Sequence, residues 1–512
     1  RDGSQTEGIS YSVLDKIKIA RKLDELGLDY IEGGYPGSNP KDKSFFQEFK
    51  EDPLKIARLV AFGSTRKAGV SAARDSGLKS LVESGVSTAT IFGKTWDLHV
   101  KDILRVSLEE NLDMIRDSVK YLVAEGLEVI YDAEHFFDAY KANPEYAMKT
   151  IKTAVESGAK LVCFCDTNGG TLTSEISSIV RKVKDEVKAP LGIHTHNDLG
   201  LAVANSIAAV EAGCVQIQGT MNGLGERCGN ADLVPIIGIL KFKLHRECLS
   251  DDRLKELTEI SHFVSEISNM KHMDNQPFVG KSAFAHKGGV HINAVLKNPK
   301  SYEHIDPALV GNLRRVLVSE LAGKTPILLK AKDLNLDLEK DSPESKKVLK
   351  LLQDLEHEGY AFEAADASFE VLVKKALKQH KKFFDLEGFR VIVEKGKKGK
   401  ISSEATIKLI VNKVKEHTTS DGDGPINALD NALRKALKGF YPQVLKMHLS
   451  DFKVRVLDAK EGTAAKVRVL IQSQDEHDCW TTVGVSENII EASWQALVDS
   501  IEYKLMKDAS NK

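Results

Sequence analysis

The sequence predicts an α/β protein: a barrel of parallel strands wrapped by helices, followed by a smaller α+β domain built from two repeated units. Three observations predict it. Between about residues 28 and 220 an amphipathic stretch, a short β-rich run and a polar cluster recur in that order. Each polar cluster follows a β-rich run, so the clusters share one end of the strands. Residues 362–512 contain an internal repeat, in which Phe389 and Ala428 in the first copy match Phe452 and Ala492 in the second.

The β-rich runs are residues 28–32, 59–62, 88–92, 127–131, 160–165, 192–195 and 215–218. Helical patterns separate them, for example residues 12–26 and 108–125. Such alternation means parallel strands joined by crossover helices. One further strand is expected just before Arg1. It would complete the eight of a TIM (β/α)8 barrel, so the sequence is expected to be part of a longer protein that supplies that strand. The alternative, a doubly wound open sheet, carries a Gly-rich phosphate turn after its first strand, and Asp2-Gly3-Ser4-Gln5 is not one. The barrel is assigned to residues 1–250 and helical linker subdomains to 251–361, with a charged connector at 330–358. Residues 362–512 form the C-terminal domain, read as allosteric or dimerising. In its first copy Gly422-Asp423-Gly424-Pro425 turns a strand into a helix.

Bulk properties exclude several classes of function. Hydrophobic residues make up 42% and charged residues 29%, an ordinary globular mixture. A net charge of −2 gives no field that favours nucleic acid or an anionic membrane. The longest apolar runs, such as 233–240, are too short to span a bilayer. Six cysteines without a CxxC pair read as free thiols in a reducing cytoplasm.

The chemistry concentrates in the polar clusters. On a strand, residues two apart point the same way, so His194 and His196 face the barrel mouth together. Asp2 adds a carboxylate, and Asn230 adds an amide from the loop after the last strand. Such mixed nitrogen and oxygen ligation suits Mn²⁺, Mg²⁺, Co²⁺ or Zn²⁺ acting as a Lewis acid. Arg1 suits a carboxylate or a developing enolate oxygen, or else an ion pair with Asp2 or Glu226. Glu134 is a candidate acid/base or a supporting group. Thr167 either donates to a substrate carboxylate or caps the helix that follows. His286 and His291, in Ala285-His286-Lys287-Gly288-Gly289-Val290-His291, belong to a loop outside the barrel; they either complete the site as proton-transfer groups or are structural.

Three motifs together resemble one family. Arg1-Asp2-Gly3-x-Gln5 with Lys16 is similar to the first signature of 2-isopropylmalate and homocitrate synthases. Leu191-x-x-His194-x-His196-Asn197-Asp198-x-Gly200 resembles the second, and Gly223-Leu224-Gly225-Glu226-Arg227-x-Gly229-Asn230 is typical of the same superfamily. Within the family the chain looks most like the citramalate synthase branch, through Phe92 to Val100, Tyr131 to Asp138, Gly359 to Phe369, Gly422 to Asp430 and Asn488 to Trp494. The resemblance covers essentially the whole chain. It implies condensation of acetyl-CoA with pyruvate on a divalent metal, thioester hydrolysis, and feedback on the C-terminal domain by isoleucine. It also implies that Arg1 and Thr167 hold pyruvate, and that His291, with Glu134 and Tyr302, moves protons, His291 coming from the partner in a homodimer. Phe92 and Trp96 are expected to narrow the acceptor pocket to a methyl group. The rivals are a 2-isopropylmalate synthase, which takes a branched 2-oxo acid, and a metal-dependent acyl-CoA lyase.

Overall fold

A computed structural model of the chain describes residues 1–317, 342–396, 399–457, 462 and 464–510. Residues 330–341 of the predicted connector lie outside the described residues. The chain forms two compact units, Arg1–Phe284 with Ile305–Arg314, and Ala285–His304 with Arg315–Lys512. The stretch read as a helical linker divides between them.

The first unit is built on seven parallel strands that pair in chain order: β1 (Tyr30–Gly34), β2 (Arg58–Ser64), β3 (Thr88–Lys94), β4 (Glu128–Glu134), β5 (Leu161–Asp166), β6 (Leu191–Thr195) and β7 (Gln216–Gln218). Helices join them, among them Val13–Leu26, Leu108–Ala124 and Thr173–Lys184. Each predicted β-run overlaps one of these strands, several of which extend past it at the C-terminal end. A side-chain hydrogen bond from β7 to β4 shows that the sheet curls into a barrel: Gln218 Nε2 donates to Asp132 Oδ1 at 3.0 Å.

Strands β2 to β6 are largely buried on both faces, which is why they read as apolar runs. Alternate residues such as Ala89, Ile91, Val129, Tyr131, Val162, Phe164 and Ile193 pack outward, where Ile115, Val119 and Ile151 of the helices meet them. The residues between them face inward. There the register aligns Phe92 with Asp132 and Asp132 with Cys163, and, one layer nearer the mouth, Lys94 with Glu134, Cys165 with His194 and His194 with Gln218. The inward face is therefore polar at the strand ends. The cavity it lines, about 1120 Å³, reaches from Arg1, Asp2 and His194 down to Thr90 and Ile130.

Local signals fix the helices. Ser12 and Asp15 form a capping box at the start of Val13–Leu26, and Gly27 closes the helix in the left-handed conformation. Inside that helix Asp24 accepts the backbone N–H groups of Lys55, Ile56 and Ala57 at 2.8, 2.9 and 2.7 Å. These three bonds hold the loop that enters β2. Among the described residues no helix is long and apolar enough to cross a membrane.

In the second unit a short parallel pair joins β8 (Ala285–His286) to β9 (Arg315–Val316). Then come two antiparallel three-stranded sheets: β10 (Asp385–Lys395), β11 (Ile401–Val411) and β12 (Val414–Gly422), followed by helix Pro425–Leu437; and β13 (His448–Val456), β14 (Val467–Gln474) and β15 (Cys479–Ser486), followed by helix Ile489–Ser510. Each copy of the repeat is thus three strands and a helix. Gly422 to Pro425 makes the strand-to-helix turn in the first copy. Both helices bury small and branched residues, Ala428, Leu429, Ala432 and Leu433 in one, Ala492, Ala496 and Leu497 in the other, in a shared core with Ile407, Leu409, Val469 and Ile471.

Candidate active site

Asp2 lies in a one-turn helix, Asp2–Gln5, at the barrel mouth. One of its oxygens is 3.3 Å from His194 Nε2 and accepts the Asn230 side-chain N–H at 3.2 Å. Asn230 Nδ2 also stands 3.2 Å from His194 Nε2. The ring of His196 lies 5.3 Å from that of His194, centre to centre. All four side chains are buried. The structure therefore gathers Asp2, His194, His196 and Asn230 in one place.

The loop after β7 delivers Asn230 because it pairs with the end of β6. Ala231 N donates to Thr195 O, Asn197 N donates to Gly229 O, and His196 bridges Asn230. Two glycines make this possible. A Cβ on Gly225 would fall 1.9 Å from Asn230 Oδ1, and Gly229, at φ +90°, would press a Cβ against the Gly223 carbonyl.

The donor set fits a divalent cation. His196 Nδ1 and Asn230 Oδ1 are buried without a hydrogen-bond partner, which is costly for protein groups with no other ligand. Burial, and then the neighbouring His194, lower the His196 pKa to about 4, so its imidazole is neutral and keeps a lone pair. Burial pushes the Asp2 carboxyl up, but Arg1 and then His194 outweigh it and hold it below the usual carboxylate range. One carboxylate, two imidazoles and an amide oxygen form a mixed hard and borderline set. A second group of potential ligands, Asp132, Cys163 and Cys165, lies deeper in the barrel. It is a poor cation site. Burial raises the Cys163 thiol well above its ordinary value, so it keeps its proton at neutral pH, and burial raises the Asp132 carboxyl to about 7.

Arg1 pairs with Asp2 at 2.9 Å and with Glu32 on β1, not with Glu226. Its guanidinium carbon lies 3.6 Å from the centre of the Phe62 ring. Phe62 in turn stacks on Phe92, with centres 5.5 Å apart. Phe92 is thereby joined to Arg1. Trp96 belongs to a different cluster, in which it stacks on His99 at 5.4 Å and lies 5.9 Å from His135. Thr167 accepts the backbone N–H of His135 at 2.9 Å, which leaves its own hydroxyl hydrogen free to donate. It does not cap the helix Thr173–Lys184, whose N-cap is Leu172. Arg227 grips both oxygens of Asp198 and donates to the Thr167 carbonyl at 2.7 Å, tying the ends of β5, β6 and β7 together. Glu134 forms an ion pair with Lys94 on the adjacent strand.

In the second unit His291 stacks on Tyr302, with ring centres 4.3 Å apart and planes at 28°. His286 pairs with the buried Glu303 at 3.0 Å. That pairing gives His286 a structural task and leaves His291 and Tyr302 as the reactive candidates of this segment.

Sequence reading assigned no role to Glu32, Phe62, Asp132, Gln218 or Lys94. Strand parity could have found Asp132, which counting back two from Glu134 places inward; the register sets Lys94 and Gln218 one layer nearer the mouth.

The chain is similar to known proteins over nearly its whole length. Residues 1–264 match the HMGL-like family, residues 278–359 the homocitrate synthase post-HMGL domain-like family, and residues 363–505 the LeuA allosteric (dimerisation) domain. The chain is 55% identical to the (R)-citramalate synthase of Geobacter sulfurreducens, covering 99% of this chain and 96% of that protein. It is 54% identical to the (R)-citramalate synthase of Aquifex aeolicus, covering 99% and 97%. Identity to the 2-isopropylmalate synthase of Methanocaldococcus jannaschii is 32%, covering 99% and 93%. The chain belongs to the citramalate and 2-isopropylmalate synthase family of acyl-transferring, condensing enzymes.

Proposed function

We propose that the chain condenses acetyl-CoA with pyruvate to form (R)-citramalate and free CoA, the entry to isoleucine that does not start from threonine. The observation that carries this reading is the identity to (R)-citramalate synthases over nearly the full length of both chains, set against the much lower identity to the 2-isopropylmalate synthase. In this reaction the acetyl methyl carbon gives up a proton and forms a C–C bond to the keto carbon of pyruvate, and the keto oxygen takes a proton. Water then cleaves the thioester, and the thiol of CoA leaves.

Asp2, His194, His196 and Asn230 would hold a divalent cation, Mn²⁺, Mg²⁺, Co²⁺ or Zn²⁺, and such an ion polarises a keto group and steadies an enolate oxygen. Arg1, fixed by Glu32 and Asp2 and seated on Phe62, presents its guanidinium to the pyruvate carboxylate and keto oxygen. The free hydroxyl of Thr167 donates to the same carboxylate. Phe92, backed by Phe62, and Trp96 leave room for a methyl group. Glu134, His291 and Tyr302 serve the proton transfers, His291 and Tyr302 being supplied by the second copy of a homodimer. Isoleucine acts as feedback inhibitor at the C-terminal domain. The enzyme works in the cytoplasm.

Initial rates with pyruvate, 2-oxobutanoate and 2-oxoisovalerate test the acceptor. Pyruvate is expected to give the highest kcat/KM. Preference for 2-oxoisovalerate would make the chain a 2-isopropylmalate synthase.

A further inference from the structure

His194 has two ring nitrogens, and only one can offer a lone pair while the imidazole is neutral. Nε2 points toward Asp2 and Asn230. Nδ1 points the other way, 2.8 Å from Gln218 Oε1. An amide oxygen only accepts, so this contact requires the proton to sit on Nδ1. Nε2 is then the acceptor. The contact on the far side agrees, because Asn230 Nδ2 donates to Nε2.

Gln218 could in principle turn its amide over and present Nε2 to the imidazole. Asp132 prevents this. Gln218 Nε2 donates to Asp132 Oδ1 at 3.0 Å, and Asp132 is buried on β4 beneath the site. A turned amide would place its oxygen against the ionised carboxylate and lose the bond to Asp132 Oδ1. A proton on the other carboxyl oxygen leaves this direction unchanged. The order Asp132, Gln218, His194 therefore runs across the barrel from β4 to β7 to β6, with every donor and acceptor matched.

We infer that Gln218, locked by Asp132, is a positioning residue that fixes the tautomer and ring orientation of His194 for cation binding. This rests on the assignment of Asp2, His194, His196 and Asn230 as the cation site. Groups that orient metal-bound imidazoles carry on the order of 10–100-fold in metal affinity.

The test is Mn²⁺ binding to substrate-free enzyme, with free Mn²⁺ read by electron paramagnetic resonance. Wild type, Asp2→Ala, Gln218→Met and Gln218→Glu are compared, with far-UV circular dichroism to confirm folding. Gln218→Met keeps the length of the side chain and removes the acceptor, so its affinity should fall about 10–100-fold. Gln218→Glu keeps an oxygen facing Nδ1–H and should stay within about threefold of wild type, well above the methionine variant. Equal losses in both would make Gln218 a packing residue and overturn the inference, as would wild-type affinity in Gln218→Met. If Gln218→Met does not fold, Asp132→Leu replaces it and is compared with Asp132→Asn, which still offers an oxygen. Weaker binding in the leucine variant supports the lock, and equal binding overturns it. Wild-type affinity in Asp2→Ala would instead overturn the cation site itself.

Discussion

Arg1 shows how one side chain takes its task from what surrounds it. Half-buried and paired with Glu32 and Asp2, it cannot swing, and Phe62 supports the flat face of its guanidinium. Phe92, stacked on that same ring, therefore stands close to whatever Arg1 binds. This turns an expectation about acceptor size into a specific variant. Phe92→Ala should widen the pocket and move selectivity from pyruvate toward 2-oxoisovalerate. One methylene of fit is worth about 1–3 kcal/mol, or about 10–200-fold in the ratio of kcat/KM values. Competition between the two acids measures that ratio, and an unchanged ratio would remove Phe92 from the pocket wall. Trp96 carries a weaker expectation, because its ring is engaged by His99 and His135.

At the scale of elements, helix Val13–Leu26 is tied to the entry of β2 by a single carboxylate. Burial pushes Asp24 up, but the three backbone N–H groups from Ala57, Lys55 and Ile56 outweigh it and hold its pKa below the usual carboxylate range. A group lowered in this way stabilises the folded state above its unfolded pKa of about 4, and that contribution is lost as pH falls below this value. The barrel unit should accordingly lose stability on acidification below about pH 4. Asp24→Asn should flatten that dependence and cost about 1–3 kcal/mol at neutral pH, since three amides then compete for one weaker acceptor. Denaturant unfolding of the two proteins across pH decides it; an unchanged slope would contradict the role given to Asp24.

Much of this level was legible in the sequence, and the reason is physical. Strands buried on both faces leave continuous apolar runs, and polar residues gather where those runs end, so His194, His196 and Glu134 announce themselves. The HxH spacing alone puts two imidazoles on one face. Gln218 and Glu32 gave no such signal. Each sits in a short run where polarity reads as a strand end, and its importance arises only when the curled sheet brings β7 against β4, or β1 under Arg1. Phe62 is one aromatic among 19 phenylalanines, and nothing local marks it as the seat of a guanidinium. His291 and Tyr302 were legible as a candidate loop, while their stacking depends on the helix Gly289–Lys297, which carries His291, and on the turn Pro299–Ser301 after it.

For the whole molecule, the division of labour follows the two kinds of architecture. Parallel strands converge chemistry at one mouth. Among the described residues the repeated three-strand-and-helix units carry no comparable cluster of convergent catalytic groups, and they match an allosteric, dimerising domain. Isoleucine is therefore expected to lower the rate of the intact enzyme, and leucine to do so only at much higher concentration. Rates measured against each amino acid test this, and indifference to isoleucine would assign the domain to assembly alone.

One barrel mouth is expected to join two carbon skeletons on a metal and then to hydrolyse the thioester. The most direct measurement is the appearance of free CoA thiol from metal-stripped enzyme. Thiol should appear only when acetyl-CoA, pyruvate and Mn²⁺ are all present, with citramalate formed in equal amount. Thiol release without pyruvate, or an equal rate without metal, would contradict the account.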